Sequence, residues 1–79
     1  MRVAAGLDWR EDGDGWTAED RTGTFRLVEV GPGQWMDFWW RREEGCGCGA
    51  PARGGRDWPD FESAAAAIVA LAHAEFEAA

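Results

Sequence analysis

Apolar and polar positions alternate through the first half of the chain and then change period. Leu7 to Arg10 alternates, Trp16 to Asp20 opens on an aromatic residue, and Thr24 to Val30 is a β-branched and aromatic run. Gln34 to Arg41 then carries Trp35, Met36, Phe38, Trp39 and Trp40. Runs of this length and period predict strands. Between them lie Glu11-Asp12-Gly13-Asp14-Gly15, Arg21-Thr22-Gly23 and Gly31-Pro32-Gly33, the residue types that tight turns select. Connections this short make neighbours antiparallel, so a meander of three to four strands is expected over about residues 5–41.

The period is lost from Glu43 to Arg56, a glycine-rich stretch that reads as a mobile loop. Trp58-Pro59-Asp60-Phe61-Glu62-Ser63 then begins a helix, with Asp60 or Ser63 as its N-cap and Trp58 as a staple at its start. The run to Ala78 has no breaker and is rich in alanine. At 100 degrees per residue, Phe61, Ala64, Ala65, Ile68, Val69, Leu71, Ala72 and Phe76 share one arc, with Glu62, His73 and Glu77 opposite. The expected fold is therefore α+β: one domain over residues 1–79, with a C-terminal amphipathic helix over about 60–78 packed on one face of an antiparallel sheet.

Alternation also assigns faces. If Phe25 and Leu27 meet the helix, Arg26, Val28 and Val30 face away. On the last strand the expectation is that Met36, Phe38 and Trp40 point inward, joining Trp9 and Trp16, and that Trp35, Asp37, Trp39 and Arg41 point outward. One helix covers only one face, so Trp35, Trp39, Val28 and Val30 would form an apolar patch, open to a partner, to the loop or to a second copy of the chain.

Six tryptophans in 79 residues sharpen that picture, because they exceed what one small core was expected to need. Charge narrows the partner. Fifteen acidic residues stand against eight arginines and no lysine, for a formal net charge of -7. Such a balance disfavours direct binding to nucleic acid or an anionic membrane and favours a protein partner with a basic surface. Glu11, Asp12, Asp14, Glu19 and Asp20 crowd the first hairpin together with Asp8. A compact acidic surface of this kind presents itself to a nucleic-acid-binding protein much as phosphates do, although a solvated, solubilising face has the same composition.

No run approaches the roughly 18–20 apolar residues of a membrane span, and the N-terminus lacks a secretory signal, so a cytoplasmic location in a bacterial host is expected. The cysteines would then be reduced. Cys46-Gly47-Cys48 offers two thiols where zinc needs four ligands, so a metal site would need two chains. Asp12-Gly13-Asp14-Gly15 fails as a calcium loop, because Arg10 stands at the first ligand position. His73 is expected to face solvent. No nucleophile, base and oxyanion donor group together, so neither enzymatic activity nor a cofactor is expected.

Trp9, Gly15-Trp16-Thr17-Ala18-Glu19, Gly23-Thr24-Phe25-Arg26-Leu27 and Phe61-Glu62-Ser63 with the alanine helix behind them together resemble a class of small single-domain proteins of phages and related mobile elements. The chain looks similar in particular to anti-CRISPR inhibitors of type I surveillance complexes. That resemblance implies a protein that occupies a basic DNA-binding groove, or the subunit that reads the target-adjacent motif, and so excludes DNA. A phage or gene-transfer accessory protein acting by self-association, as monomer or homodimer, is the alternative it allows.

Overall fold

The computed structural model describes residues 1–42, 51–54 and 57–78. Five strands, β1 (Arg2–Ala4), β2 (Leu7–Asp12), β3 (Gly15–Asp20), β4 (Gly23–Gly31) and β5 (Gln34–Arg41), precede one helix, α1 (Phe61–Ala78). The strands lie in chain order, each antiparallel to the last. The α+β meander under a C-terminal helix is thus present, with five strands in place of three or four. The extra strand, β1, turns into β2 through Ala5 and Gly6, both left-handed (φ 52 and 77). Such turns usually announce themselves by Asn-Gly or Asp-Gly, and alanine hides this one.

The β4–β5 connection decides which residues form the core. Gly31 pairs with Gln34 across Pro32-Gly33, but the next pair is Glu29 with Trp35, which leaves Val30 as an extra residue in β4. Without this bulge Phe25 would lie opposite Trp40 and Leu27 opposite Phe38. The observed partners are Trp39 and Asp37. A slip of one residue transfers every side chain of β5 to the other face. The orientation expected for β5 is therefore reversed: Trp35, Asp37, Trp39 and Arg41 face α1, and Met36, Phe38 and Trp40 face away.

Trp9, Phe25, Leu27 and Trp39 from the sheet pack with Phe61, Ala64, Ala65, Ile68 and Ala72 of α1 as the buried core. Alanines along the contact line let the helix backbone approach large aromatic rings. Phe61 enters a box of three tryptophans, with ring centroids 5.6, 5.7 and 5.3 Å from Trp9, Trp16 and Trp35 in near-perpendicular edge contacts. The Arg2 guanidinium lies 3.8 Å from the Phe61 centroid and ties β1 to the start of the helix. Asp60 is the N-cap, accepting a hydrogen bond from Ser63 N at 2.7 Å, and that bond holds its carboxyl below the usual range.

The tryptophan surplus is mostly core. Trp9 and Trp39 are 0% and 2% exposed, while Trp16, Trp35 and Trp58 pack partly buried against the same cluster. Trp40, expected inside, is the exception, on the opposite face.

Two segments, 51–54 and 57–58, form a strap along the free edge of β5. Ala52 exchanges both backbone hydrogen bonds with Trp39, and Trp58 does so with Trp35, at 2.8–2.9 Å. They cover an edge that would otherwise be open to strand pairing. The buried carboxylate of Asp37 secures them, its Oδ1 accepting from Gly54 N and its Oδ2 from Trp58 Nε1, both at 3.1 Å.

Candidate functional site

The face of the sheet turned away from α1 is the surface on which partner chemistry is available. Cross-strand neighbours share a face, so the register builds it row by row. Arg10 pairs with Thr17, Thr17 with Arg26 and Arg26 with Phe38. Val28 pairs with Met36, and Thr24 with Trp40. Along β5 these rows make an apolar stripe of Met36, Phe38 and Trp40, partly exposed and joined on β4 by partly exposed Val28, while Arg26 and Thr24 stand on β4 beside Phe38 and Trp40; Val30, the unpaired bulge residue, is 49% exposed. The Phe38 and Trp40 rings lie 6.1 Å apart at 32°. Among the described residues no helix or second sheet lies over this face. Arg53 reaches round from the strap, its guanidinium 5.5 Å from the Phe38 centroid.

Val28 therefore lies where alternation puts it, Val30 is exposed as the unpaired residue of the bulge, and Trp35 and Trp39 do not lie on this face. Trp39 is enclosed, and Trp35 packs on Phe61 with its backbone paired to Trp58. Neither is placed to anchor a partner on the open face. Met36, Phe38 and Trp40 take that place, and the sequence missed them because a three-residue turn signal does not reveal whether a bulge follows it.

The acidic hairpin is also divided. Asp12 and Asp14 are both held by Arg26, at 3.6 and 2.8 Å, at the end of the open face. Asp8 and Glu19 alternate outward beside buried Trp9 and Ala18 and line one shallow depression with Arg10. Among the described residues none of Asp8, Glu19 and Arg10 has an ion-pair partner, so the two carboxylates and one guanidinium leave this depression with one net negative charge. Glu11 is exposed on the helix-side parity of β2, and Asp20 turns under the helix.

Asp20 does structural work there. Its Oδ1 accepts from Thr22 N at 2.7 Å and Thr22 Oγ1 at 2.6 Å, and its Oδ2 lies 2.7 Å from His73 Nε2. His73, expected in solvent, is thus bound to the β3–β4 turn. Arg21 pairs with Glu77, and Arg41 donates to Glu75 O near the helix end, so three contacts fasten the last turns of α1 to the sheet. The grouping of Thr22, Asp20 and His73 does not form a nucleophilic relay, because the hydroxyl donates to the carboxylate and Thr22 is 0% exposed.

Burial of Asp20 works to raise its pKa, but the hydrogen bonds from Thr22 and His73, with the charge of His73, outweigh it and set the net direction downward. A depressed carboxylate adds stability that is present above its unfolded value of about 3.9 and is lost as pH falls through the folded value. The melting temperature of the wild type is therefore expected to drop on acidification below about pH 4, and Asp20→Asn to flatten that part of the profile. Parallel profiles for the two proteins would remove Asp20 from the account.

Among the described residues no cluster of three or more His, Cys, Asp or Glu is placed to hold a metal ion. Cys46 and Cys48 lie outside the described residues. Among those described, no helix is long and apolar enough to cross a membrane. The architecture defines a two-layer α+β domain with a half-apolar, half-charged outer face. The chain matches no family model, and comparison with curated proteins and with solved structures gives no match either.

Proposed function

We propose that the protein is a non-enzymatic binding module that occupies a basic protein surface of the kind that grips nucleic acid. The observation that carries this reading is the open face itself. It carries the apolar Phe38 and Trp40 pair on β5 and, beyond Thr24 on the same face, the unpaired carboxylates Glu19 of β3 and Asp8 of β2, in a chain of net charge -7. Aromatic anchors supply affinity at such a surface, and a flanking acidic rim steers the encounter. Carboxylates on the contact face would also repel nucleic acid from it, so a protein partner is favoured over direct binding. In its narrowest form this is an anti-CRISPR-like inhibitor that keeps DNA out of a type I surveillance complex, a target that rests on the resemblance to small phage proteins.

The test is a DNA-retention assay with a purified type I surveillance complex. Wild-type protein in excess should release or exclude target DNA. Phe38→Ala with Trp40→Ala should lose that effect while keeping a cooperative melt, because both rings lie outside the helix-side core. Asp8→Lys with Glu19→Lys should slow association by at least about tenfold at low salt and weaken its salt dependence. Undiminished DNA binding in the presence of saturating wild-type protein would sink the inhibitor reading.

A further inference from the structure

We infer that the open face is closed in the free protein by a second copy of this chain, sheet against sheet about a twofold axis; the inference goes beyond the inhibitor reading and does not depend on its target. The register lays the face out in adjacent rows. One row holds Glu19, Thr24 and Trp40, and the Arg10 to Thr17 pairing extends it to Asp8, which lines the same depression as Glu19. The next row holds Arg10, Thr17, Arg26 and Phe38. Each row thus has a charge at its β2 end and an aromatic ring at its β5 end, and those charges are opposite in sign. A twofold axis lying in the sheet plane between the two rows turns each row onto the other in the second copy. Asp8 then meets Arg10 of the second copy, Trp40 meets its Phe38, and symmetry repeats both contacts. Stacked sheets cross at about 30°, which displaces residues about 7 Å from the crossing point by roughly 4 Å, within reach of an arginine or an indole.

The chain's charge of -7 does not oppose contact at this face. Arg26 is held by Asp12 and Asp14, and Arg53 by Asp57, which leaves Asp8, Glu19 and Arg10 as the charges without an ion-pair partner among the described residues of this face. A second copy brings the same three with the rows exchanged. Asp8 and Arg10 pair twice, and Glu19 lies over the Thr17 hydroxyl of the other copy. Glu62, Glu75 and Glu77 sit on α1, a full layer away, beyond the Debye length of about 8 Å at physiological salt. Area sets the strength. Four strands about 4.8 Å apart and about six residues long offer on the order of 400 Å² of face per copy. Tight complexes bury about 800 Å² per partner, so this dimer is reversible and can give way to a target on the same face.

Sedimentation velocity of the full chain between about 10 μM and 1 mM tests this over the range expected for so small an interface, with amide chemical shifts locating the contact. The dimer fraction should rise with concentration, and the amides of Thr17, Thr24, Phe38 and Trp40 should shift with it. Trp40→Ala should raise the dissociation constant at least about tenfold. Asp8→Arg and Arg10→Asp each set like charges across the axis and should each weaken self-association at least about fivefold. An equimolar mixture of those two variants should restore it, because only the mixed dimer has opposite charges at both contacts. A chain that stays monomeric at about 1 mM, shifts confined to β1, a dimer unchanged by Trp40→Ala, or a mixture no better than either charge variant would each overturn the twofold contact. The DNA-retention assay fails separately: release of DNA by a strictly monomeric protein removes this inference alone, and a dimer through this face without any effect on DNA removes the proposed target alone.

Discussion

Trp39→Ala is expected to abolish the cooperative thermal transition of this protein. Trp39 is 2% exposed, lies opposite Phe25 in the ladder and supports the centre of the helix contact. Truncating a buried tryptophan costs about 3–5 kcal/mol in lost burial and residual cavity. A domain of this size has a total stability of about 4–12 kcal/mol, so one such change consumes much of it. Trp39→Phe should be far milder. Among the described residues the Trp39 indole N–H is buried without a hydrogen-bond acceptor, and phenylalanine removes that unsatisfied donor while keeping most of the ring volume. Differential scanning calorimetry of the two variants checks both halves: a cooperative, near-native melt for Trp39→Ala would mean that β5 presents its other face to the helix.

The second large effect is expected at the strap. Gly54→Ala would place a methyl carbon 2.2 Å from Asp37 Oδ2, a distance that only movement of the backbone or the carboxylate relieves. Asp37→Ala removes the acceptor of both Gly54 N and the Trp58 indole, at about 0.5–1.5 kcal/mol for each half-buried hydrogen bond lost. Both variants should release the strap before the sheet. Hydrogen exchange should accelerate by more than about tenfold at the Trp35 and Trp39 amides, which donate to Trp58 O and Ala52 O, while Phe25 and Leu27 remain protected. Equal acceleration across β4 and β5 would show that the strap and the sheet open as one unit.

These two sites also mark where residue pattern and structure part. The meander, the helix, its inner arc of Phe61, Ala64, Ala65, Ile68 and Ala72, and the inward facing of Phe25 and Leu27 were all legible, because each follows from local period and turn chemistry. Asp60 as N-cap was one of two readings and is the one observed. β1 was hidden by the unusual Ala5-Gly6 turn. Asp37 was placed outward by strand parity, which the bulge reverses, and its partners come from residues 17 and 21 positions further along the chain. His73 was placed in solvent because it falls opposite the apolar arc of the helix, and its partner Asp20 is 53 residues away.

The amino-acid sequence by itself determined an acidic, lysine-free α+β domain with short antiparallel connections, an alanine-faced helix and one sheet face left without a helix. Which face carried which tryptophans was decided only in three dimensions. Side chains alternate with a period of two, so one unpaired residue, Val30, exchanges the whole inner and outer sets of β5 while leaving its composition and pattern unchanged. That bulge turned Trp35 and Trp39 from the expected partner surface into packing around α1, and left Met36, Phe38 and Trp40 as the apolar stripe of the open face.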